Sequence, residues 1–283
     1  MPDKVVIAGD STSDLNGELI ARYDVKLLPL GVTLGTAQYS DGVDIDPEGI
    51  YRYYEEHQEL PKTSAPSIGA FEDFFAQYTA DGAEMVFFTI SAEMSSTYQH
   101  ARLAAADFPG VHVVDTRNLS TGAGLLVVAA GEMAAAGMGA AQIAQACTEL
   151  IPLVDASFVI DDLEFLHKGG RCSAVAAFGA NLLQLKPCIG VRDGKMGVGK
   201  KYRGRFAAVL DKYIGDRLAD ARNVRAEHIF VTHAGCDTEL VESCAARVRE
   251  LLPEACVHVT RAGCTISSHC GRNTLGVLFL RKG

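Results

Sequence analysis

Residues 85–102 constrain the fold more than any other stretch, because an apolar run, a hydroxyl-rich turn and a helical segment follow one another there. The run 85–90 is almost continuously apolar, which predicts a strand buried on both faces. The turn and the helix start after it carry hydroxyls on Ser91, Ser95, Ser96, Thr97 and Tyr98. Free N–H groups and partial positive charge at a helix start attract anions, so one interpretation is an anion-binding turn at the end of this strand. The other interpretation is that the same hydroxyls cap the helix.

Strand and helix patterns alternate through the first half of the chain. Short apolar runs predict strands at 5–8 and 111–114, and helical patterns cover 47–54, 67–78, 122–136 and 140–150. The extended segment 25–34 contains Pro29, which places it near a sheet edge. This alternation is typical of a parallel sheet covered on both faces.

A different pattern begins after Pro152. Strands 188–192 and 195–201 flank Asp193-Gly194, a dipeptide that favours the type I′ turn of a hairpin. Further helices are expected at 161–171, 175–185, 206–221 and 238–252, and further strands at 157–160, 228–233, 256–261 and 274–280. A hairpin combined with helical crossovers predicts a mixed sheet. Because single cores stop growing near ~250 to 300 residues, we predict an α/β protein of two domains, 1–153 with the parallel sheet and 154–283 with the mixed sheet.

Composition narrows the classes of partner. The formal net charge is −9 and the sequence pI is near 5.4, so the chain would repel phosphate backbones, and we expect no nucleic-acid partner. The N-terminus has no basic segment followed by a long apolar one, and no uninterrupted apolar span reaches membrane length. We therefore expect a cytoplasmic protein.

Eight cysteines are scattered without a C-x-x-C pair, which favours reduced thiols over a disulfide framework. One group of cysteines and histidines has side chains that can bind metals. It consists of Cys256, His258, Cys264, His269 and Cys270. Its spacing matches no zinc-module pattern, although Cys256 and His258 would point to one face of a strand. We expect no metal and small buried thiols.

No nucleotide or hydrolase motif is present, because the Rossmann, P-loop and G-x-S-x-G patterns are all missing. His100 lies too far along its helix to be an obvious base for Ser91. His269 lies in 265–271, which has the pattern of a polar, glycine-bounded loop, and a lone loop histidine is more often satisfied than functional. In the polar turn 9–15, Ser13 or Asp14 caps a helix, or the turn lies beside the anion-binding turn. The residues alone thus predict a two-domain α/β protein with an anion-binding turn.

Taken in order, the short motifs of this chain resemble those of the DegV family of bacterial fatty-acid-binding proteins, over nearly the whole chain. The motifs are Asp10-Ser11-Thr12-Ser13-Asp14-Leu15, Pro29-Leu30, Tyr39-Ser40-Asp41-Gly42-Val43-Asp44-Ile45, Thr63-Ser64-Ala65-Pro66-Ser67, Ile90-Ser91 with Ser95-Ser96-Thr97-Tyr98-Gln99, Lys168-Gly169-Gly170-Arg171 and Leu185-Lys186-Pro187.

The resemblance implies a DegV-like fold that binds a long-chain fatty acid between its two domains. The family's carboxylate contacts carry over onto Thr63, Ser91 and His269, which makes the anion-binding turn a carboxylate-binding turn. Other head-group or partner contacts are expected among Ser64, Ser95, Ser96, Thr97, Ser268, Arg171 and Arg203. Relatives that work with a fatty acid kinase present the acid for phosphorylation and carry the acyl phosphate towards phospholipid synthesis. The implied role is thus a lipid-binding carrier and no enzyme, with no cofactor and no metal.

Five positions depart from the family's usual pattern. Ala65 replaces a glutamine, Ala92 a serine, Ser96 a glycine, and Arg272-Asn273 a Pro-Gly pair that follows Gly271. The first two changes remove polar groups, and the last adds charge near His269. The expected partners are the fatty acid, a kinase subunit and a transient membrane surface, and the expected state is a monomer or weak dimer. The competing hypotheses are an acyl- or phosphoryl-transfer enzyme that uses Ser91 or His269, and a purely structural or regulatory interaction module.

Overall fold

The computed structural model describes residues 5–172 and 185–283, and its first half is built on a four-stranded parallel sheet. The sheet contains β1 (Val5–Asp10), β2 (Lys26–Leu28), β6 (Glu84–Thr89) and β7 (Val111–Asp115) in the order β2-β1-β6-β7. Successive side chains of a strand point to opposite faces. Met85 and Phe87 pack in one apolar cluster, and Val86 and Phe88 in another. The prediction of a central strand buried on both faces is therefore confirmed.

Helices cover both faces of this sheet. The helices of the first half are α1 (Gly17–Arg22), α2 (Pro47–His57), α3 (Ile68–Thr79), α4 (Thr97–Ala104), α5 (Thr121–Ala135) and α6 (Ala140–Leu150). The phenylalanines of α3 pack with Phe87 on one face, and the apolar side chains of α5 and α6 pack on the other. Ser67 caps α3 as predicted, because its hydroxyl accepts from the N–H of Ala70 at 3.1 Å. Neither Ser13 nor Asp14 caps α1, since the carboxamide of Asn16 takes that place.

A small antiparallel sheet lies beside the parallel one. It consists of β3 (Gly31–Leu34), β4 (Ala37–Ser40) and β5 (Lys62–Ser64), in the order β4-β3-β5. The extended segment expected at 25–34 is thus two strands, β2 at the edge of the parallel sheet and β3 in the small sheet, separated by Pro29. Proline cannot donate to a ladder, which favours a change of sheet there.

The second half is built on a six-stranded mixed sheet. Its strands are β8 (Val154–Ile160), β9 (Lys186–Arg192), β10 (Lys195–Tyr202), β11 (Val224–Ala234), β12 (Val257–Arg261) and β13 (Thr274–Arg281), in the order β10-β9-β8-β13-β11-β12. Only the β11–β12 pair is parallel. Asp193 and Gly194 both have positive φ, as a type I′ turn requires, so the predicted hairpin is confirmed.

The helices of the second half, within the described residues, are α7 (Glu164–Gly169), α8 (Phe206–Arg217), α9 (Thr238–Leu251) and α10 (Cys264–Cys270). The prediction of a loop at 265–271 is wrong, because residues 265–270 belong to α10 and Gly271 follows its last residue. The helix expected at 175–185 falls almost entirely on 173–184, outside the described residues.

Helix α5 joins the two halves. Ten of its fifteen residues are buried, and its apolar side chains pack in one cluster with Ile7 of the parallel sheet and Phe230 and Leu278 of the mixed sheet. A helix that is apolar all round is buried on all sides. Gly124 is required at its start, since a Cβ there would lie 2.7 Å from the carbonyl oxygen of Ser13. We propose a domain boundary between 153 and 154, where the first strand of the mixed sheet begins.

Within the described residues, every helix is too short or too polar to cross a membrane.

Candidate functional site

A cavity of about 300 Å³ lies between the two halves of the chain. The first half contributes Leu30, Thr63, Ser64, Ala65, Ile90, Met94, Ser95, Ser96, His100 and Leu119, and the second half contributes Arg171, Met196, Thr265, Ile266, His269 and Cys270. This volume is at the lower end of the range of small-molecule sites.

The cavity is polar where it meets solvent and apolar where it is deep. The exposed residues of its lining are Ser64, Ser96 and Arg171. A second, smaller cavity of about 30 Å³ shares the walls formed by Leu119, Ile266 and Cys270 and continues among buried apolar residues, including Ala156, Phe158 and Leu278. The two cavities are neighbours separated by shared walls, and together they offer a polar end and an apolar end.

Thr63 and His269 meet in the cavity from the two halves of the chain. The hydroxyl of Thr63, on β5, lies 2.8 Å from Nε2 of His269, on α10. Gly169 makes room for the imidazole, because a Cβ there would lie 2.7 Å from Nδ1 of His269. Burial, together with the positive charge of Arg171, lowers the pKa of His269 to about 4. The ring is therefore neutral at pH 7, with one nitrogen that donates and one that accepts.

Helix α10, which carries His269, begins on two carboxylates from the first half. Asp41 accepts from the N–H groups of Cys264 at 2.7 Å and Thr265 at 3.0 Å. Asp14 accepts from the N–H of Gly263 at 2.8 Å. These N–H groups have no partner within the helix, and negative charge is stabilised at a helix N-terminus. Both carboxylates are buried, so the contact is part of the interior.

The polar turn 9–15 lies beside the end of β6. Asp10 accepts from the N–H of Thr12 at 3.0 Å and from the N–H of Ile90 at 2.7 Å. Burial raises the pKa of Asp10 to about 6 and raises the pKa of Asp14 well above its usual range. Since β1 and β6 are neighbours in the sheet, the second interpretation of this turn, a polar loop beside the end of the central strand, is the one the structure supports.

Ser91 is buried beside the hairpin turn and is not part of the cavity lining. Its hydroxyl donates to the carbonyl of Gly194 at 2.8 Å and accepts from the N–H of Glu93 at 3.2 Å. The same turn is bound by Arg117, whose guanidinium donates to the carbonyl of Asp193. Ser91 therefore connects the β6–α4 turn to the β9–β10 hairpin of the second half.

The turn before α4 satisfies several of its own N–H groups. Asp115 accepts from the N–H of Ala92 at 3.2 Å, and the carbonyl of Ser91 accepts from Met94 at 2.9 Å and Ser95 at 3.2 Å. The hydroxyl of Ser95 accepts from the N–H of Thr97 at 3.2 Å, whereas the N-cap residue of α4, Ser96, makes no side-chain cap hydrogen bond. The groups of this turn that reach the cavity are thus the side chains of Met94, Ser95 and Ser96.

Of the other residues expected to contact the head group or a partner, some line the cavity and the rest lie in the interior or at the surface. Ser64 and Arg171 line the cavity, and Arg171 donates to the carbonyl of Gly169 at 2.8 Å. Thr97 and Ser268 are buried outside the lining, and Arg203 is exposed in the loop after β10.

Two departures from the family pattern differ in their relation to the site. Ala65 lines the cavity, so the polar group of the family's usual glutamine is absent from the cavity wall. The charge of Arg272 is directed to α2, where its guanidinium lies 2.9 Å from Glu48 and 3.5 Å from Glu55 and over the ring of Tyr51. The expected charge near His269 is therefore neutralised at the surface.

His100 and Thr265 line the cavity but are not among the site residues predicted from the sequence, where His100 is considered only as a base for Ser91. His100 follows Ser96 by four residues, and this helical spacing could have placed both on one face. Its Nδ1 lies 2.7 Å from the carbonyl of Pro66. The hydroxyl of Thr265 is buried without a hydrogen-bond partner, although its backbone N–H is bound by Asp41. No local pattern marks Thr265, because its position depends on the packing of α10.

Comparisons with known proteins agree on one family. A family model described as an uncharacterised protein of the DegV family matches residues 4–282. A DegV domain-containing protein of Clostridium acetobutylicum is 31% identical over 282 residues, which are 99% of each chain.

Two solved structures show the same fold. A DegV family protein from Thermus thermophilus, described for its fatty acid binding, has a TM-score of 0.89 at 29% identity and covers 98% of this chain and 99% of its own. A stearic acid-binding protein from Eubacterium ventriosum has a TM-score of 0.83 at 27% identity and covers 99% of this chain and 98% of its own. The architecture of a parallel and a mixed sheet is shared by these proteins.

Substitution Asp41→Ala tests the contact that holds α10. It leaves two buried N–H groups without an acceptor, so we expect the free energy of unfolding to fall by about 2 to 4 kcal/mol in urea denaturation. Asp73→Ala, at an exposed position of α3, is the matched control and is expected to stay within about 0.5 kcal/mol. Equal effects of the two substitutions would contradict the role given to Asp41.

Proposed function

The chain belongs to the DegV family, and on that premise we propose that it binds a long-chain fatty acid in the cavity between its two halves, which are the two domains proposed above. The observation that carries the proposal is the Thr63–His269 pair in a cavity whose deep walls are apolar and adjoin a second, largely apolar cavity. The relatives described as fatty-acid binding support the same ligand class. The protein acts in this proposal as a lipid-binding carrier in the cytoplasm.

The head and the tail of the ligand would contribute differently to affinity. Burying roughly 14 methylenes at ~0.8 kcal/mol each gives about 11 kcal/mol before the costs of ordering. A hydrogen bond to a charged carboxylate is worth only ~1.5 to 3 kcal/mol. The tail therefore provides most of the affinity, and the polar residues select a carboxylate and fix its direction.

Thr63, His269 and Ser91 are the carboxylate contacts of this proposal. A neutral His269 offers one N–H, and the hydroxyl of Thr63 can turn from the ring to the ligand. Thr265 adds a free hydroxyl on the same wall. Ser91 would reach the carboxylate only by exchanging its hydrogen bond to Gly194 for one to the ligand.

We also propose that the bound acid is presented to a partner fatty acid kinase, and that the acyl phosphate then passes towards phospholipid synthesis. Two features support this step. The lining is polar at its exposed edge, and Arg171 and Arg203 are exposed cations that suit a phosphoryl group or an acidic partner surface.

The alternative of an enzyme that uses Ser91 is not favoured by the geometry. Its hydroxyl donates to one backbone carbonyl and accepts from one backbone N–H, so no side-chain base receives its proton. His269 contacts Thr63 and not Ser91.

Variants of the Thr63–His269 pair test the ligand site. We expect wild-type protein to bind a long-chain acid in isothermal titration, and Thr63→Val and His269→Ala each to weaken binding by about 10 to 100-fold. Because the two side chains contact each other, the double variant should lose less than the product of the single effects. His57→Ala, on α2 and away from the lining, is the control.

The binding experiment can contradict the proposed ligand site in two ways. Absence of binding by the wild type, or equal affinity in all variants, would contradict the proposal. A similar loss in Ser91→Ala would place the third contact at that hydroxyl, whereas unchanged affinity would assign it to the hairpin alone.

An assay for acyl phosphate distinguishes a carrier from an enzyme. Pure protein with ATP and fatty acid is expected to give no acyl phosphate, and addition of the fatty acid kinase of the source organism is expected to give it. The control contains kinase, ATP and acid without this protein. Product formed by the pure protein alone, or an unchanged rate in the control, would contradict the kinase-partner step.

A further inference from the structure

Three metal-ligating side chains come together at the edge of the mixed sheet, away from the fatty-acid cavity. They are His228 on β11, Cys256 just before β12, and His258 on β12. Strands β11 and β12 are parallel, with Phe230 opposite His258, so the same register brings His228 beside Cys256. The three ligand atoms all lie within 4.8 Å of one another. Neither they nor Glu132, described next, line either part of the ligand cavity.

Two of the three ligand separations are close to those of a tetrahedral site. With metal–nitrogen bonds of ~2.05 Å and metal–sulfur bonds of ~2.3 Å, neighbouring ligands lie ~3.3 Å apart for two nitrogens and ~3.6 Å apart for nitrogen and sulfur. The sulfur of Cys256 lies 3.5 Å from Nε2 of His258. Nδ1 of His228 lies 2.9 Å from the same Nε2, so the two rings would have to separate by only about 0.4 Å to admit an ion.

A carboxylate orients one of the ligands. Nε2 of His228 lies 2.9 Å from Glu132 on α5, so this nitrogen donates and Nδ1 is left as the acceptor that faces the cluster. Metal-binding histidines usually donate their second N–H to such a carboxylate, which fixes the ring and raises its basicity. The side chain of His228 is only 13% exposed and its ring stacks on His258, which in turn lies against Phe230.

The thiol is accessible. Cys256 is exposed, whereas the other seven cysteines are buried, so the expectation of buried thiols is wrong at this one position. A site of two imidazoles and one thiolate is of borderline softness, which suits Zn²⁺, and three protein ligands leave a fourth position for water.

We propose that His228 Nδ1, His258 Nε2 and Cys256 Sγ bind a Zn²⁺ ion, with water as the fourth ligand and Glu132 as the residue that positions His228. In this step the thiol of Cys256 releases its proton to solvent. The proton on Nε2 of His258 moves to its Nδ1, so both imidazoles stay neutral. The ion would hold β12 to β11 and, through Glu132, to α5, which packs against both sheets.

Protection of Cys256 tests the site in the unmodified protein. Metal-free protein is treated with iodoacetamide, with and without one equivalent of Zn²⁺, and alkylation is followed by intact mass. Since the metal-bound thiolate is shielded, we expect Zn²⁺ to slow the reaction of the single exposed cysteine by more than about tenfold. An unchanged rate would overturn the proposal.

Spectra and affinities identify the ligands. Co²⁺ should give thiolate-to-metal charge-transfer absorption, which Cys256→Ser abolishes and Zn²⁺ displaces. Zn²⁺ affinity, measured against a chromophoric chelator, should fall in His258→Gln, and Glu132→Gln should lower it by about 10 to 100-fold while the charge-transfer band is retained. His57→Gln, a histidine outside the cluster, should change neither quantity. Equal affinity of wild type and His258→Gln, or binding of Cu⁺ without binding of Zn²⁺, would overturn the assignment.

Discussion

The contact between two buried carboxylates of the first half and the start of α10 is the interaction on which the site depends. Asp14 and Asp41 accept from three successive N–H groups, those of Gly263, Cys264 and Thr265. An unpaired buried N–H group costs about 1 to 3 kcal/mol, so separating the helix from these carboxylates would destabilise the protein. Because His269 lies on α10 and Thr63 on β5, the same contact fixes their 2.8 Å separation. The two halves are thus held in register at the point where the ligand is proposed to bind.

A second contact joins the two halves of the chain. The β9–β10 hairpin reaches the turn after β6, where Ser91, Arg117 and Glu93 meet Gly194, Asp193 and Lys195. The Lys195–Glu93 pair is exposed, and exposed pairs contribute little to stability. The neutral state of His269 agrees with a site that recognises a carboxylate by hydrogen bonds more than by charge.

Elements with a regular hydrophobic period could be predicted from the sequence, and elements fixed by long-range contacts could not. Strand β6 was evident because both faces are apolar, and the hairpin because Asp193-Gly194 has a specific turn chemistry. Helix α10 has no such signal, since its seven residues are rich in hydroxyls and the carboxylates that bind its first N–H groups lie more than two hundred positions away. His228 was not joined to Cys256 for the same reason, because strand pairing alone brings them together. The resemblance to a family placed Thr63 and His269 in one site, which local pattern could not do.

The fatty acid itself provides the most direct measurement. Protein purified from its own cells, extracted under denaturing conditions and studied by mass spectrometry, should release a long-chain acid in a nearly one-to-one ratio, and emptied protein should take the acid up again. A protein that is empty as purified and that also fails to take up added long-chain acid would contradict the account.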